Sequence, residues 1–238
     1  MPWVATGAGS DDRRLAKLTA LHQNLLFVAP LVYEHVRMRA LLLVFLLTTS
    51  AAMTEAPQER REKIQGHERK PASAEALERK KRSIARMKQE GVSVSEHLPA
   101  IEDSKGAKVR ASQEVARRAI AICITAVKGE GLDQATIDEL VKRFQAESFF
   151  SPEEKAFVGN ADPAKRDRIQ FSWRYECYWV LLWALGYVES LQPPHGICDV
   201  KKAIAILRDR GTEKFIKGAK LRPLAEILDQ ADLIYRYH

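Results

Sequence analysis

Between Gln170 and Gly186 the chain reads QFSWRYECYWVLLWALG, and two charged side chains, Arg174 and Glu176, stand there among three of its four tryptophans. A carboxylate lodged among indoles loses hydration and holds its proton more tightly, which is how a general acid is made. A nearby guanidinium could then hold an anionic group. This gives a hydrolase-like reading, with Glu176 as acid or base and Arg174 as the anion clamp. At 100° per residue, however, Glu176 shares a face with Trp173, Val180 and Trp183, whereas Arg174 shares one with Gln170, Tyr178 and Leu181. The two side chains diverge and do not pair with each other. Buried charges persist when paired, so the leading expectation is structural: Glu176 met by an arginine of another helix, such as Arg117, Arg118 or Arg222, and Arg174 paired elsewhere.

Other reactive residues form no recurring pattern. His195, Cys198 and Asp199 lie close in sequence, with His97 as a distant third ligand, but they do not make a closed metal set. Cys198 with His195 as base lacks the spatial arrangement that nucleophilic catalysis needs. Glycine-rich phosphate loops, a nucleophile elbow and zinc-protease spacing are absent. Neither a cofactor nor a metal is expected.

The elements that must position these residues are helical. Ser73 is placed to cap a helix running to Glu90 with Gly91 as its stop, and with Leu77, Ile84 and Met87 near one face. Val92 to Pro99 reads as an extended arm. Ser112 is the expected N-cap of a helix through Lys128, with Val115, Ala119, Ile122, Cys123 and Ala126 on its buried face. Asp133 opens the next helix. Ser151-Pro152-Glu153-Glu154 combines an N-cap, a proline at the first helical position and a capping-box glutamate. Asp162-Pro163 predicts one continuous helix from Ala164 to Leu185, apolar all round from Cys177 onward and therefore central. Asp199 caps Val200 to Arg210, Gly211 stops that helix, and Pro223 begins the last one. The expected fold is all-α: a compact domain of six or seven helices around the tryptophan-rich helix, preceded by a signal-like leader and a charged spacer.

The chain has 238 residues, a net charge of +7 and a sequence pI near 9.3. The excess is uneven: residues 1–52 carry +2, residues 53–110 carry +4 and residues 111–238 only +1. The run Arg79-Lys80-Lys81-Arg82 is diluted by Glu75, Glu78 and Glu90 and lacks interleaved aromatic residues, which argues for a solvated face and against nucleic acid. Arg37 and Arg39, the apolar stretch Ala40 to Leu47 and the small residues Ser50 to Ala52 have the layout of a secretory signal peptide. From Ala40 to Met53 the run is too short for a stable span of the bilayer, which needs about 20 residues. The expected organisation is a leader over 1–52 with a start at Met38, a charged spacer over 53–90 and an all-α domain over 91–238. Removal of the leader would place the chain in an exported or periplasmic compartment; a start at Met53 would leave it cytoplasmic. Cys123, Cys177 and Cys198 are too few for a disulfide scaffold, although Cys123 and Cys177, both on buried faces, could meet if the chain is exported.

RKKRSIARMKQEGVSVSEHLPAIED over 79–103, then Ser112 to Arg118, Ser151 to Phe157, Ile169 to Gly186, Cys198-Asp199-Val200 and Leu221 to Tyr235 together resemble, in that order, the bacterial domain of unknown function 4272. The most specific part is the run from Gln170 to Gly186. The resemblance implies a helical domain with no assigned reaction. The family pattern runs on past Tyr235-Arg236-Tyr237-His238, which would leave the Leu228, Ala231 and Tyr235 face partly uncovered for a protein partner. The residues therefore favour a non-catalytic binding or structural module, with the Glu176 and Arg174 enzyme as the alternative.

Overall fold

In the computed structural model, the residues described are 71–238 apart from His195 and His238. The leader expectation, Met38 and Met53, most of the spacer and His195 lie outside them. Among the described residues the chain is helical and contains no strand. Helix α1 spans Ala74–Gln89, and after an arm come α2 (Ser112–Gly129), α3 (Gln134–Arg143) and a 3-10 turn (Glu147–Phe149). Helices α4 (Pro152–Val158), α5 (Lys165–Ser172), α6 (Arg174–Ala184), α7 (Val200–Gly218) and α8 (Leu224–Arg236) follow. Seven α-helices thus lie beyond residue 91, as the sequence pattern predicts. No helix of the described residues is long and apolar enough to cross a membrane.

Local capping chemistry sets most helix starts. The side chains of Ser73, Asp133 and Asp199 accept from Ala76, Thr136 and Lys202 amides, and Ser151 and Glu154 form a reciprocal capping box. Each satisfies amides that the first helical turn leaves without partners. Two starts differ from expectation. Ala111, not Ser112, is the N-cap of α2, and Ala164 that of α5, neither with a side-chain bond. Gly91 and Gly186 end α1 and α6 with φ of 70° and 76°, a backbone region where a Cβ is strained. Gly211, at φ 65° and ψ 172°, divides α7 in two, and the Thr212 hydroxyl donates to Phe144 O at 2.9 Å to fix the break.

The hub is α2, which packs against α3 through α7. Every residue from Ala119 to Lys128 is buried, so α2 is enclosed on all sides rather than on one face. Helix α6 lies along it with nine residues buried, from Tyr175 to Tyr178 and Val180 to Ala184.

The continuous helix expected over Ala164 to Leu185 is two helices, broken at Trp173. The Ser172 hydroxyl donates to Ile169 O at 2.8 Å, and the Glu176 amide donates to Trp173 O three residues back. Such bonds compete with the regular ladder and tighten the turn. At the break, the C-terminal end of α2 packs closely against α5. A Cβ on Gly129 would stand 2.5 Å from Ser172 N and 2.8 Å from Arg168 O. Both are backbone atoms, so Gly129→Ala must push the helices apart; urea denaturation is expected to show a loss of about 1–3 kcal/mol.

Helix α1 packs on α8. Its buried residues are Ala76, Arg79, Ser83 and Met87, whereas Leu77 is 45% exposed. The buried face is therefore rotated from the one expected through Leu77 and Ile84, and the first arginine of the basic run lies inside it. Arg79 donates to Glu75 (2.6 Å), Asp229 (3.1 Å) and Glu102 O (3.1 Å), tying α1, α8 and the arm together. Lys80 holds the arm through Glu96 O and Leu98 O, both at 2.7 Å. The α8 face expected to be partly uncovered is closed: Leu228 and Ala231 are buried and Tyr235 is half-buried.

Candidate functional site

The two residues singled out by chemistry have separate partners. Arg174, the first residue of α6, donates to Glu154 Oε1 at 2.6 Å and stacks over Phe171 at 4.8 Å. Phe171 stacks in turn on Phe157, with ring centroids 4.0 Å apart. Arg118 of α2 grips the same carboxylate through both terminal nitrogens, and the Ser151 amide donates to it at 3.0 Å. Glu154 is fully buried. Burial pushes its carboxyl up, but the Arg118 bond, the charges of Arg118 and Arg174 and the Ser151 amide outweigh this and hold it below the ordinary 4.5.

Glu176 is 1% exposed, and its Oε1 accepts the Cys198 amide at 2.6 Å. Of the arginines considered for it, Arg118 is on Glu154, and Arg222 donates to Trp183 O (2.8 Å), Val188 O (3.0 Å) and Glu189 O (2.8 Å). The arginine thus adds a donor to Trp183 O, which also accepts the Gly186 amide at 3.0 Å, and ties the loop after α6 to it through Val188 O and Glu189 O. Through the Cys198 amide Glu176 ties the loop before α7 to α6, and Cys198 Sγ adds a contact to Tyr175 O at 3.6 Å.

The remaining reactive side chains are similarly placed. Asp199 caps α7, and His97 meets the Ser95 hydroxyl. Among the described residues no three His, Cys, Asp or Glu side chains gather as ion ligands. Cys123, Cys177 and Cys198 are not joined by disulfides. Burial pushes the Cys123 thiol up to about 12, against the opposing hydrogen bond of Tyr178, which disfavours the reactive thiolate.

Open space lies elsewhere, between α1 and α8. A cleft of about 450 Å³ is lined by Arg79, Arg82, Ser83 and Arg86 of α1, by Trp183, Glu189 and Leu191, and by Arg222, Glu226, Asp229 and Gln230 on the other side. Its size falls in the range of ligand sites. The Arg222 guanidinium lies 4.9 Å from the Trp183 ring centroid, so cation and indole form one surface. Asp229 closes one end, accepting from Arg79 at 3.1 Å and Arg82 at 2.7 Å.

The four arginines differ in how their donors are used. Arg79 is 3% exposed and Arg222 24%, and each uses all three guanidinium nitrogens on protein acceptors. Arg82 is 55% exposed and gives one bond, from Nη2 to Asp229. Arg86 is 50% exposed and gives one, from Nε to Glu90 at 2.9 Å. A guanidinium has five N–H donors, so these two retain donors at the cleft. A larger hollow of about 810 Å³, bordered by Asp138, Lys142, Glu147, Phe150 and Lys155, lies on the α3 and α4 side.

The family model described as Domain of unknown function (DUF4272) matches residues 79–238. The chain belongs to this family. A search of curated proteins and one of solved structures found no match. The family match begins inside α1 and runs through α8, so it includes both walls of the cleft. The sequence pattern puts Arg79 to Arg82 on a solvated face, Trp183 beside Glu176 and Arg222 among the candidate partners of Glu176, and assigns no role to Arg86. The available signal was Arg82 and Arg86 at i and i+4, neighbours on one helix face.

Proposed function

We propose that this member of the family is a non-catalytic binding module whose ligand site is the cleft between α1 and α8. The observation that carries this is the concentration there of half-exposed arginines and of carboxylates over Trp183, in a space of ligand size. Binding sites combine apolar walls with a few polar groups that fix orientation, and this cleft has both. Glu176 and Arg174, by contrast, are engaged in holding a loop and a helix start. That supports a framework role over the acid and clamp roles of the hydrolase-like alternative.

The test is a thermal-shift screen of the full chain against a library of small anionic, neutral and cationic compounds, repeated on Gln230→Trp. Gln230 is half-exposed at the cleft wall, so an indole there fills the space without replacing a buried residue. Compounds should raise the midpoint of the native chain and lose that effect in the variant. Hits that persist in Gln230→Trp would count against the cleft. A turnover abolished by Glu176→Gln with folding intact would count against a non-catalytic role.

A further inference from the structure

Resting on that reading, we infer that the cleft holds a tetrahedral oxyanion, of the kind carried by a phosphate monoester, between the guanidinium groups of Arg82 and Arg86. These side chains are one helical turn apart on α1, line the same cleft and are each about half exposed. Each gives a single bond to a protein carboxylate, Arg82 to Asp229 and Arg86 to Glu90. The terminal nitrogens of Arg86, and Nε and Nη1 of Arg82, remain for a ligand.

A planar carboxylate presents two oxygens; Asp229, which already meets two arginines of α1, does so through one oxygen with a single bond to each, and Glu90 takes one bond from Arg86. A phosphate-type group presents at least three oxygens and can accept from both forks together. Arg79 and Arg222 do not compete for this role. Their nitrogens hold the arm, α8 and the end of α6, and they add positive charge beneath the site without being drawn out of the framework. The carboxylates of Glu189, Glu226 and Asp229 also line the cleft. They disfavour a polyanion such as a nucleic-acid backbone and favour a single compact anionic group whose remainder carries hydrogen-bond donors. Because Arg82 also reaches Asp229, an oxyanion that takes over this guanidinium draws on one of the two ion pairs linking α1 to α8, while the buried Arg79 pair remains.

The experiment is an NMR titration of the 15N-labelled full chain, following arginine Nε–H signals, with inorganic phosphate, sulfate and acetate at matched ionic strength. Phosphate and sulfate should shift Arg82 and Arg86 together and saturably, whereas acetate should give smaller shifts that do not saturate over the same range. Arg82→Lys and Arg86→Lys preserve charge but lose the fork, and each should weaken phosphate binding about tenfold, the scale of one charge-assisted hydrogen bond. Lys81→Gln, which removes a 75% exposed charge from the same helix, should leave it within about twofold, as for a screened surface charge. Equal losses in Lys81→Gln and the arginine variants, or equal shifts with acetate, would overturn the oxyanion site. Library compounds that bind in the cleft but are indifferent to both arginine-to-lysine changes would overturn it too while leaving the binding-module reading in place. Absence of any cleft ligand, phosphate included, would remove both.

Discussion

Asp232→Ala is expected to destabilise the protein by about 3–5 kcal/mol, the cost of leaving one member of a buried ion pair alone. The Asp232 and Arg236 side chains are both 0% exposed. They lie at i and i+4 on α8 and form two parallel bonds of 2.8 Å, Nε to Oδ2 and Nη2 to Oδ1. Arg236 Nη2 also donates to Pro99 O at 3.1 Å, so α8 helps α1 hold the arm; among the described residues its Nη1 has no acceptor. A guanidinium does not shed its proton in a protein. Removal of the carboxylate therefore leaves a buried guanidinium without its counter-ion. Domains are stable by only about 5–15 kcal/mol, so the variant should unfold at much lower urea. The double change Asp232→Leu with Arg236→Met removes both charges and keeps apolar volume, and it should recover most of the loss. A single substitution costing under about 1 kcal/mol would mean that the pair is not the buried bolt described.

Arg118→Ala combined with Arg174→Ala should cost about 3 kcal/mol at pH 7, because Glu154 is then buried without its cations. The sign of the pH dependence makes this test specific. With both arginines present, the folded-state pKa of Glu154 lies below its ordinary value. The resulting stabilisation is complete above the ordinary value of 4.5 and is lost as pH falls through the lower, folded value. Without the arginines only burial and the Ser151 amide remain, and burial raises the folded pKa. The carboxylate then penalises folding at neutral pH, and acidification through the raised pKa relieves the penalty. Urea midpoints of native and variant chains should converge on moving from neutral to mildly acidic pH; a gap that stays constant would show that the loss comes from packing around Phe171 and not from charge.

What the sequence disclosed and what it hid divide along the range of the interactions. Ser73, Asp133, Ser151 and Asp199 are legible as caps because each acts on amides within its own first turn. The divergence of Arg174 from Glu176 is legible as well, since helical geometry alone sets it. Their partners are not. Glu154 looks like a capping-box residue, and its second role toward Arg118 and Arg174 joins three helices. The break at Trp173 coincides with the contact of Gly129 and Ser172, 43 residues apart in sequence. A pattern that starts at Asp162 carries no sign of it. The face of α1 was misplaced for the same reason: hydrophobicity points to Leu77 and Ile84, whereas the partner, α8, selects Arg79 through Asp229, 150 residues away. The cleft gathers residues from 79–86, 183–191 and 222–233, so no local motif could announce it.

On the proposed reading, ligands bind between α1 and α8, against Trp183 in the last turn of α6, and not at Glu176. Amide and indole NMR on the assigned full chain, titrated with library compounds, locates the binding site. Shifts should cluster on Ser83, Arg86, Gln230 and the Trp183 indole and vanish in Gln230→Trp. Shifts clustered instead around Glu176 and Cys198, or in the hollow beside Asp138 and Lys155, would contradict it.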